Sequence, residues 1–200
     1  KSLFDRGLPH GSTGNISARL SDGSLLVTPT GSSLGFLDPG RISHVSQKGD
    51  LLSGDKPTKE IPLHAAFYET RQQTGAVVHL HSCHSVALSL LPEIAPDNVL
   101  PRLTPYGIML LGKVRLLPFF VPGDPAMGDA VRGLAGKRSA VLLANHGPVV
   151  AGKTLETAVN AMEELEASAK LALLLRGAHA TALNEDQINQ VVTRFDVEWT

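Results

Sequence analysis

The stretch that most restricts what this chain can become is Ala76-Val77-Val78-His79-Leu80-His81. Its apolar approach reads as a buried strand, and side chains two apart on a strand point the same way. His79 and His81 therefore share one face. Imidazoles converging from a rigid strand suit a zinc-like ion, whose nitrogen ligands sit at about 2.0–2.1 Å. Two ligands do not close such a site. The best third ligand lies far along the chain, where the apolar pair Leu142-Leu143 gives way to Ala144-Asn145-His146-Gly147-Pro148. The Gly-Pro pair is expected to stop the strand and expose the His146 ring. Three histidines with a vacant fourth position describe a catalytic metal centre rather than a structural one. Taken singly, each histidine reads as an ordinary core or loop residue, and only the set of three favours ligands. His84, three residues past His81, competes for the third place, and His146 is preferred because a loop after a strand can be aimed freely.

Two hundred residues, 42% of them hydrophobic, supply enough apolar side chain for one compact domain spanning 1–200. Eighteen basic and nineteen acidic residues leave a net charge of −1, with no long run of either sign, so nothing electrostatic points to nucleic acid or to a membrane surface. The longest apolar runs, such as Ile108 to Leu111 and Ala140 to Ala144, are far too short to span a bilayer. Cys83 is the only cysteine, which excludes an internal disulfide and makes the reducing cytoplasm the expected compartment. Beside His81 it reads as a buried inert thiol rather than a ligand or nucleophile. The opening Lys1 to Gly7 lacks an initiator Met and a signal-like apolar core, and reads as the end of a helix whose beginning is absent.

Strands and helices are expected to interleave in one α/β unit. Gly11 to Ser17 is a loop of small polar residues, fit for a tight turn or for cradling an anion with backbone N–H groups. Asp22-Gly23 makes a hairpin turn into the strand Leu25 to Thr28, which ends in a second hydroxyl-and-glycine loop through Ser33. Short apolar pieces follow at Val45-Ser46 and Leu51-Leu52. A helix then opens with Thr58 or Lys59 at its start and Pro62 in its first turn. Its positive end suits an anion, and Glu60 beside it reads as an acidic first-turn residue or as something more. A helix is expected over Ser82 to Leu91, strand-like segments at Thr104 to Met109 and Val114 to Phe119, and a helix from Asp124-Pro125 closed by Gly136. Strands at Ala140–Asn145 and Val149–Ala151 precede the clearest helix, Thr154 to Arg176, closed by Gly177. Asn184 to Gln187 forms a capping box that opens a last helix. His10, His44, His64 and His179 lack partner spacing and read as surface or packing residues.

The ordered set Gly14-Asn15, Thr30-Gly31, Glu60, His79-x-His81 and Asn145-His146-Gly147 resembles the class II aldolase and adducin family over nearly the whole chain. The resemblance implies a three-layer α/β fold with a central, mainly antiparallel nine-stranded sheet and helices on both faces. It also implies a homotetramer with active sites between subunits and a zinc-type ion on His79, His81 and His146. Three imidazoles also suit Mn2+, Co2+ or Fe2+. It further assigns phosphate binding to Gly14, Asn15, Thr30, Gly31, Thr58 and Lys59, acid/base work to Glu60, and to Tyr106 the role of a proton donor reaching into the neighbouring site. Thr58-Lys59 stands where family aldolases carry two serines, so a hydroxyl is kept and a cation added. Glu60 stands where the family's epimerase has Asp, and the C-terminal tyrosine of fuculose aldolase has no counterpart, since the only tyrosines are Tyr68 and Tyr106.

Within the family, residues 53–60, 101–106 and 144–148 look most like the branch that decarboxylates 3-oxo-tetronate 4-phosphate. That activity, a carbon–carbon lyase reaction of sugar-acid catabolism, would yield dihydroxyacetone phosphate and CO2 through a metal-stabilised enediolate. Glu60 would return a proton to carbon, a role suited to a carboxyl of raised pKa. An aldolase cleaving a sugar 1-phosphate such as L-fuculose 1-phosphate to dihydroxyacetone phosphate and an aldehyde is the runner-up, because it needs the same electron sink. A non-catalytic adducin-like assembly module is the alternative of another class, and it predicts loss of the metal ligands.

Overall fold

A computed structural model describes residues 1–199. Eight strands form one sheet: β1 (Asn15–Arg19), β2 (Leu25–Val27), β3 (Ser43–Val45), β4 (Leu51–Ser53), β5 (Ala76–His79), β6 (Arg115–Leu117), β7 (Ala140–Leu143) and β8 (Gly147–Gly152). Their order is β4-β3-β2-β1-β5-β8-β7-β6. Every neighbouring pair is antiparallel except β6 with β7. The expected mainly antiparallel sheet is thus present, with eight strands among the described residues rather than nine. A further pairing between Pro29 and Pro57 stays a single bridge, because proline has no N–H with which to extend a ladder.

The helices are α1 (Ser2–Asp5), α2 (Ile61–Thr70), α3 (Cys83–Ser89), α4 (Pro105–Leu111), α5 (Ala126–Arg132), α6 (Leu155–Leu174) and α7 (Glu185–Phe195). Alternation along β5 divides the interior into two cores. Ala76 and Val78 face a cluster with Leu88, Leu111, Met162 and Leu165 from α3, α4 and α6. Val77 faces Leu63, Phe67, Met127 and Val131 from α2 and α5. Helices therefore cover both faces, and β5 lies buried between β1 and β8. With a period of two, His79 emerges on the face of Val77, the side occupied by α2.

Local signals explain most boundaries. Thr154 and Thr157 cap each other at the start of α6, as Asn184 and Gln187 do at the start of α7. The segment from Thr104 is a helix, not a strand: the Thr104 hydroxyl accepts from Gly107 N and Pro105 takes the first helical position. Helix α5 ends at Arg132 instead of running to Gly136. Gly136 serves a left-handed turn against Thr70, where a Cβ would lie 2.4 Å from the Thr70 carbonyl oxygen. Cys83 is exposed rather than buried, because its strand ends earlier and the residue opens α3. None of the described helices is long and apolar enough to cross a membrane.

Candidate metal centre and its carboxylate

The two distant histidine segments meet where β5 ends beside the beginning of β8. His79 is the last residue of β5 and is fully buried. Its Nδ1 lies 2.9 Å from the Pro148 carbonyl oxygen. An oxygen acceptor there fixes the proton on Nδ1 and leaves the Nε2 lone pair free for an ion. The same carbonyl accepts from Leu80 N at 3.2 Å. The chain that carries His146 thus also sets the tautomer of His79. Gly147 and Pro148 begin β8 rather than merely stopping β7, and His81 lies two residues beyond the end of β5.

His146 reaches the site through Asn145, which adopts the left-handed φ of +59° and is tied by its N–H to Ser89 Oγ at 3.0 Å. Gly147 follows at φ +153°, so close to the β5 segment that a Cβ would stand 2.1 Å from the Leu80 carbonyl oxygen. Only glycine allows this approach. The rings of His79, His81 and His146 lie 5.0, 4.9 and 4.7 Å apart, centroid to centroid. One nitrogen of each lies within 4.8 Å of the others. His79 Nε2 and His146 Nε2 are 3.4 Å apart. Corners of a tetrahedron with bonds of about 2.05 Å are separated by about 3.3 Å, so the spacing fits a shared ion. His146 Nδ1 is buried with no hydrogen-bond partner among the described residues.

The electrostatics favour ligands over cations. Burial, then the neighbouring His79 and His146, push His81 down to about 4. Burial and His79 also hold His146 below the ordinary imidazole range. Both rings are neutral at neutral pH and present lone pairs without first losing a proton.

Glu60 occupies the N-cap position of α2 but does not cap it. Its carboxylate points into the cluster instead, with Oε2 at 3.4 Å from His79 Nε2 and Oε1 at 3.5 Å from His146 Nε2. Oε2 accepts from Asn15 Nδ2 at 2.6 Å, whereas Oε1 is buried and unpartnered among the described residues. Burial pushes this carboxyl up, but His79, the Asn15 amide, His146 and His64 outweigh it and bring it below the ordinary range. The raised pKa that would suit a group returning a proton to carbon is therefore not found, because the carboxyl faces imidazoles and an amide donor rather than hydrocarbon. At neutral pH it is an anion.

Around this centre the remaining predicted residues fall at different distances. Gly14, at φ +80°, lets the chain pass against β5, where a Cβ would meet the His79 carbonyl oxygen at 2.8 Å. Asn15, next to it, pairs with His79 across the sheet. Thr58 is buried, and its hydroxyl accepts from Glu60 N at 3.3 Å. Lys59 is exposed. Thr30 and Gly31 line a cavity of about 260 Å³ with Ser32, Ser33 and Arg41. Tyr106 is 60% exposed on α4, a helix that packs on α6 and α7 and belongs to the core on the sheet face opposite His79.

Two supporting residues were not legible as such. Glu166 of α6 accepts from His84 N and Ser85 N at 2.9 Å each, from His84 Nδ1 at 2.8 Å and from Ser85 Oγ at 2.6 Å. It satisfies the start of α3 immediately after His81, and it occupies His84, the competing ligand. A carboxylate set among the buried residues Met162, Leu165 and Ala169 on the inner stripe of a helix is the signal that could have exposed it. His64, read as packing or surface, is fully buried and hydrogen-bonded at both ring nitrogens. Its spacing of four from Glu60 on one helix face was the available clue.

Comparison with known proteins follows the same lines. A 3-oxo-tetronate 4-phosphate decarboxylase of Escherichia coli is 51% identical over 174 residues, covering 87% of this chain and 82% of that protein. An L-fuculose phosphate aldolase of Methanocaldococcus jannaschii is 35% identical over 176 residues, covering 87% of this chain and 91% of that protein. The crystal structure of YgbL from Escherichia coli superposes with a TM-score of 0.93 at 47% identity, covering 95% of this chain and 92% of that one. The model of the Class II Aldolase and Adducin N-terminal domain matches residues 1–173, and the chain belongs to that family.

Proposed function

We propose that this protein is a metal-dependent decarboxylase that converts 3-oxo-tetronate 4-phosphate to dihydroxyacetone phosphate and CO2. The observation that carries the reading is the joining of three imidazoles to one carboxylate, which lies 3.4 and 3.5 Å from two of them, in a chain 51% identical to a decarboxylase of that substrate. His79, His81 and His146 would hold the divalent ion, with Zn2+ first and Mn2+, Co2+ or Fe2+ admitted by the same donors. When bound, the ion supplies Lewis acidity at the 3-oxo group of the substrate.

The substrate's C1–C2 bond breaks, CO2 leaves, and the electron pair drawn toward the C3 carbonyl returns to C2 as that carbon takes a proton. Glu60 is the group placed to deliver it from Oε1. An anionic substrate beside this carboxylate raises its affinity for a proton, which reconciles a resting anion with a role as acid. Gly14, Asn15, Thr30, Gly31, Thr58 and Lys59 form the phosphate side. Asn15 Nδ2 gives one hydrogen to Glu60 and keeps a second for an anion. Tyr106 acts as proton donor from a neighbouring subunit in a cytoplasmic homotetramer whose sites lie between subunits, with residues 1–200 forming one domain. Exposed Phe36, Tyr106, Phe119 and Val121 support such an assembly as surface it would cover.

Incubation with 3-oxo-tetronate 4-phosphate tests the proposal. CO2 and dihydroxyacetone phosphate in equal amounts are expected, with loss of both after chelation. Dihydroxyacetone phosphate accompanied by an aldehyde, from L-fuculose 1-phosphate and not from the oxo acid, would transfer the protein to the aldolase reading. The assembly-module reading fits poorly with three ligands that converge among the described residues.

A further inference from the structure

Behind Glu60 runs a buried chain of hydrogen bonds that the proposed reaction does not use directly. Tyr68 Oη lies 2.8 Å from Ser17 Oγ, and Ser17 Oγ lies 2.7 Å from His64 Nδ1. His64 Nε2 lies 2.6 Å from Asn15 Oδ1, and Asn15 Nδ2 lies 2.6 Å from Glu60 Oε2. Asn15, Ser17, His64 and Tyr68 are all buried. The five residues come from β1, α2 and the N-cap of α2, so the chain bridges the sheet and the helix that faces it.

The direction of every bond follows from elementary chemistry. A carboxylate only accepts, so the atom of Asn15 that faces Glu60 is the amide nitrogen and its carbonyl oxygen faces His64. That oxygen only accepts, so His64 Nε2 carries a hydrogen. Complete burial pushes His64 down to about 3, so the neutral ring has one hydrogen and Nδ1 must accept it from Ser17. The Ser17 hydroxyl has then spent its only hydrogen and accepts from Tyr68. Every donor in the series is used once, and no link can be reversed without setting two acceptors or two donors face to face.

We infer that His64 is a positioning residue for Glu60: by holding the Asn15 amide in one orientation it commits Oε2 to a permanent hydrogen bond and leaves Oε1 as the oxygen turned to the substrate. Oε1 is the carboxylate oxygen that is buried without a partner among the described residues. A His64 that served only to fill space would not need a donor and an acceptor on opposite sides of the ring. This inference rests on the acid/base reading of Glu60, so its test includes Glu60 itself.

The experiment compares His64→Leu, His64→Gln and Glu60→Gln in the full-length, metal-loaded protein, reading kcat and KM on 3-oxo-tetronate 4-phosphate and zinc affinity by chelator competition. His64→Leu removes both ring nitrogens and releases the Asn15 amide. It is expected to lower kcat about 10- to 100-fold, the range for an oriented hydrogen bond to a charged group, with KM and zinc affinity within about twofold of the parent. Glutamine places an N–H near the position of Nε2–H, so His64→Gln is expected to recover most of kcat. If Leu at position 64 prevents folding, Ser17→Ala decides in its place, because it removes the hydroxyl that donates to Nδ1 and holds the His64 ring against the Asn15 amide. An unchanged kcat in His64→Leu or Ser17→Ala would overturn the inference, as would a loss carried by KM or zinc affinity, or a glutamine variant as slow as the leucine one. Parental kcat in Glu60→Gln would instead remove the acid/base reading, whatever His64 does.

Discussion

Gly147→Ala separates this account of the metal centre from a looser one in which the three histidines merely lie near one another. A Cβ at residue 147 would stand 2.1 Å from the Leu80 carbonyl oxygen and 3.2 Å from His81 Cα, at a backbone φ of +153° that side chains rarely adopt. Real Cβ atoms essentially never come closer than 3.0 Å, so a gap of about 0.9 Å must open. The atom that must yield is backbone, locked between His79 and His81, and no flexible side chain can absorb the strain. Overpacking of this kind costs about 1–3 kcal/mol, and the upper end is expected here. In a domain of this size that is a fall of roughly 6–12 °C in the unfolding temperature of the metal-free protein. The same displacement separates His146 from the other two ligands by several times the tolerance of about 0.2 Å for metal–ligand distances. Zinc affinity should therefore drop about 100-fold or more. Thermal unfolding and chelator competition on one preparation measure both. A variant that is destabilised yet binds zinc like the parent would show that the approach of β8 to β5 does not set the ligand geometry.

Further outcomes are expected. Glu166→Gln replaces a carboxylate that accepts four hydrogen bonds at the start of α3, and should cost about 1–3 kcal/mol in denaturant unfolding; a change within about 0.5 kcal/mol, the range of an ordinary surface substitution, would contradict the role given to it. Metal-free protein should lose stability on acidification. His64 and His81 lie at about 3 and about 4 in the fold against 6.5 when unfolded, so no penalty exists above pH 6.5. Below it the unfolded chain binds protons that the fold refuses, at about 1.4 kcal/mol per pH unit for a fully buried imidazole such as His64. Glu60 acts in the same sense: its depressed pKa contributes stability that is lost as pH falls through the folded value. Unfolding free energies that stay flat from pH 6.5 to 5 would contradict these assignments. Zinc at 100 times its dissociation constant should raise stability by about 2.7 kcal/mol, and no rise in unfolding temperature would mean that the cluster binds no ion.

Where a residue's role depends on its own strand or helix, the sequence was informative. The apolar run before His79, the capping boxes at Thr154 and Asn184, and the α6 stripe each carry a local period or a local cap, and the structure keeps them. The convergence of the three histidines was legible because two of them share a strand-like segment and the third sits in a glycine-flanked turn. What could not be read were roles created by pairing between distant elements. Glu166 meets α3 across 81 and 82 residues, and His64 meets Asn15 across 49. The direction of the Glu60 shift failed for the same reason: burial argued for a rise, whereas three of the four groups that reverse it come from β1, β5 and the turn before β8, and only His64 from α2. Thr104-Pro105 is a cap followed by proline, a helix start, in a segment whose composition suggests a strand. There the apolar residues 108–111 outweighed the local chemistry.

The rest depends on three imidazoles from two distant segments holding one ion beside a carboxylate. X-ray absorption at the metal edge of the zinc-loaded protein tests it most directly. The account predicts one ion per chain with three imidazole nitrogens at about 2.0–2.1 Å, falling to two in His146→Ala. A spectrum with fewer than three imidazoles in the parent, or one unaffected by His146→Ala, would contradict it.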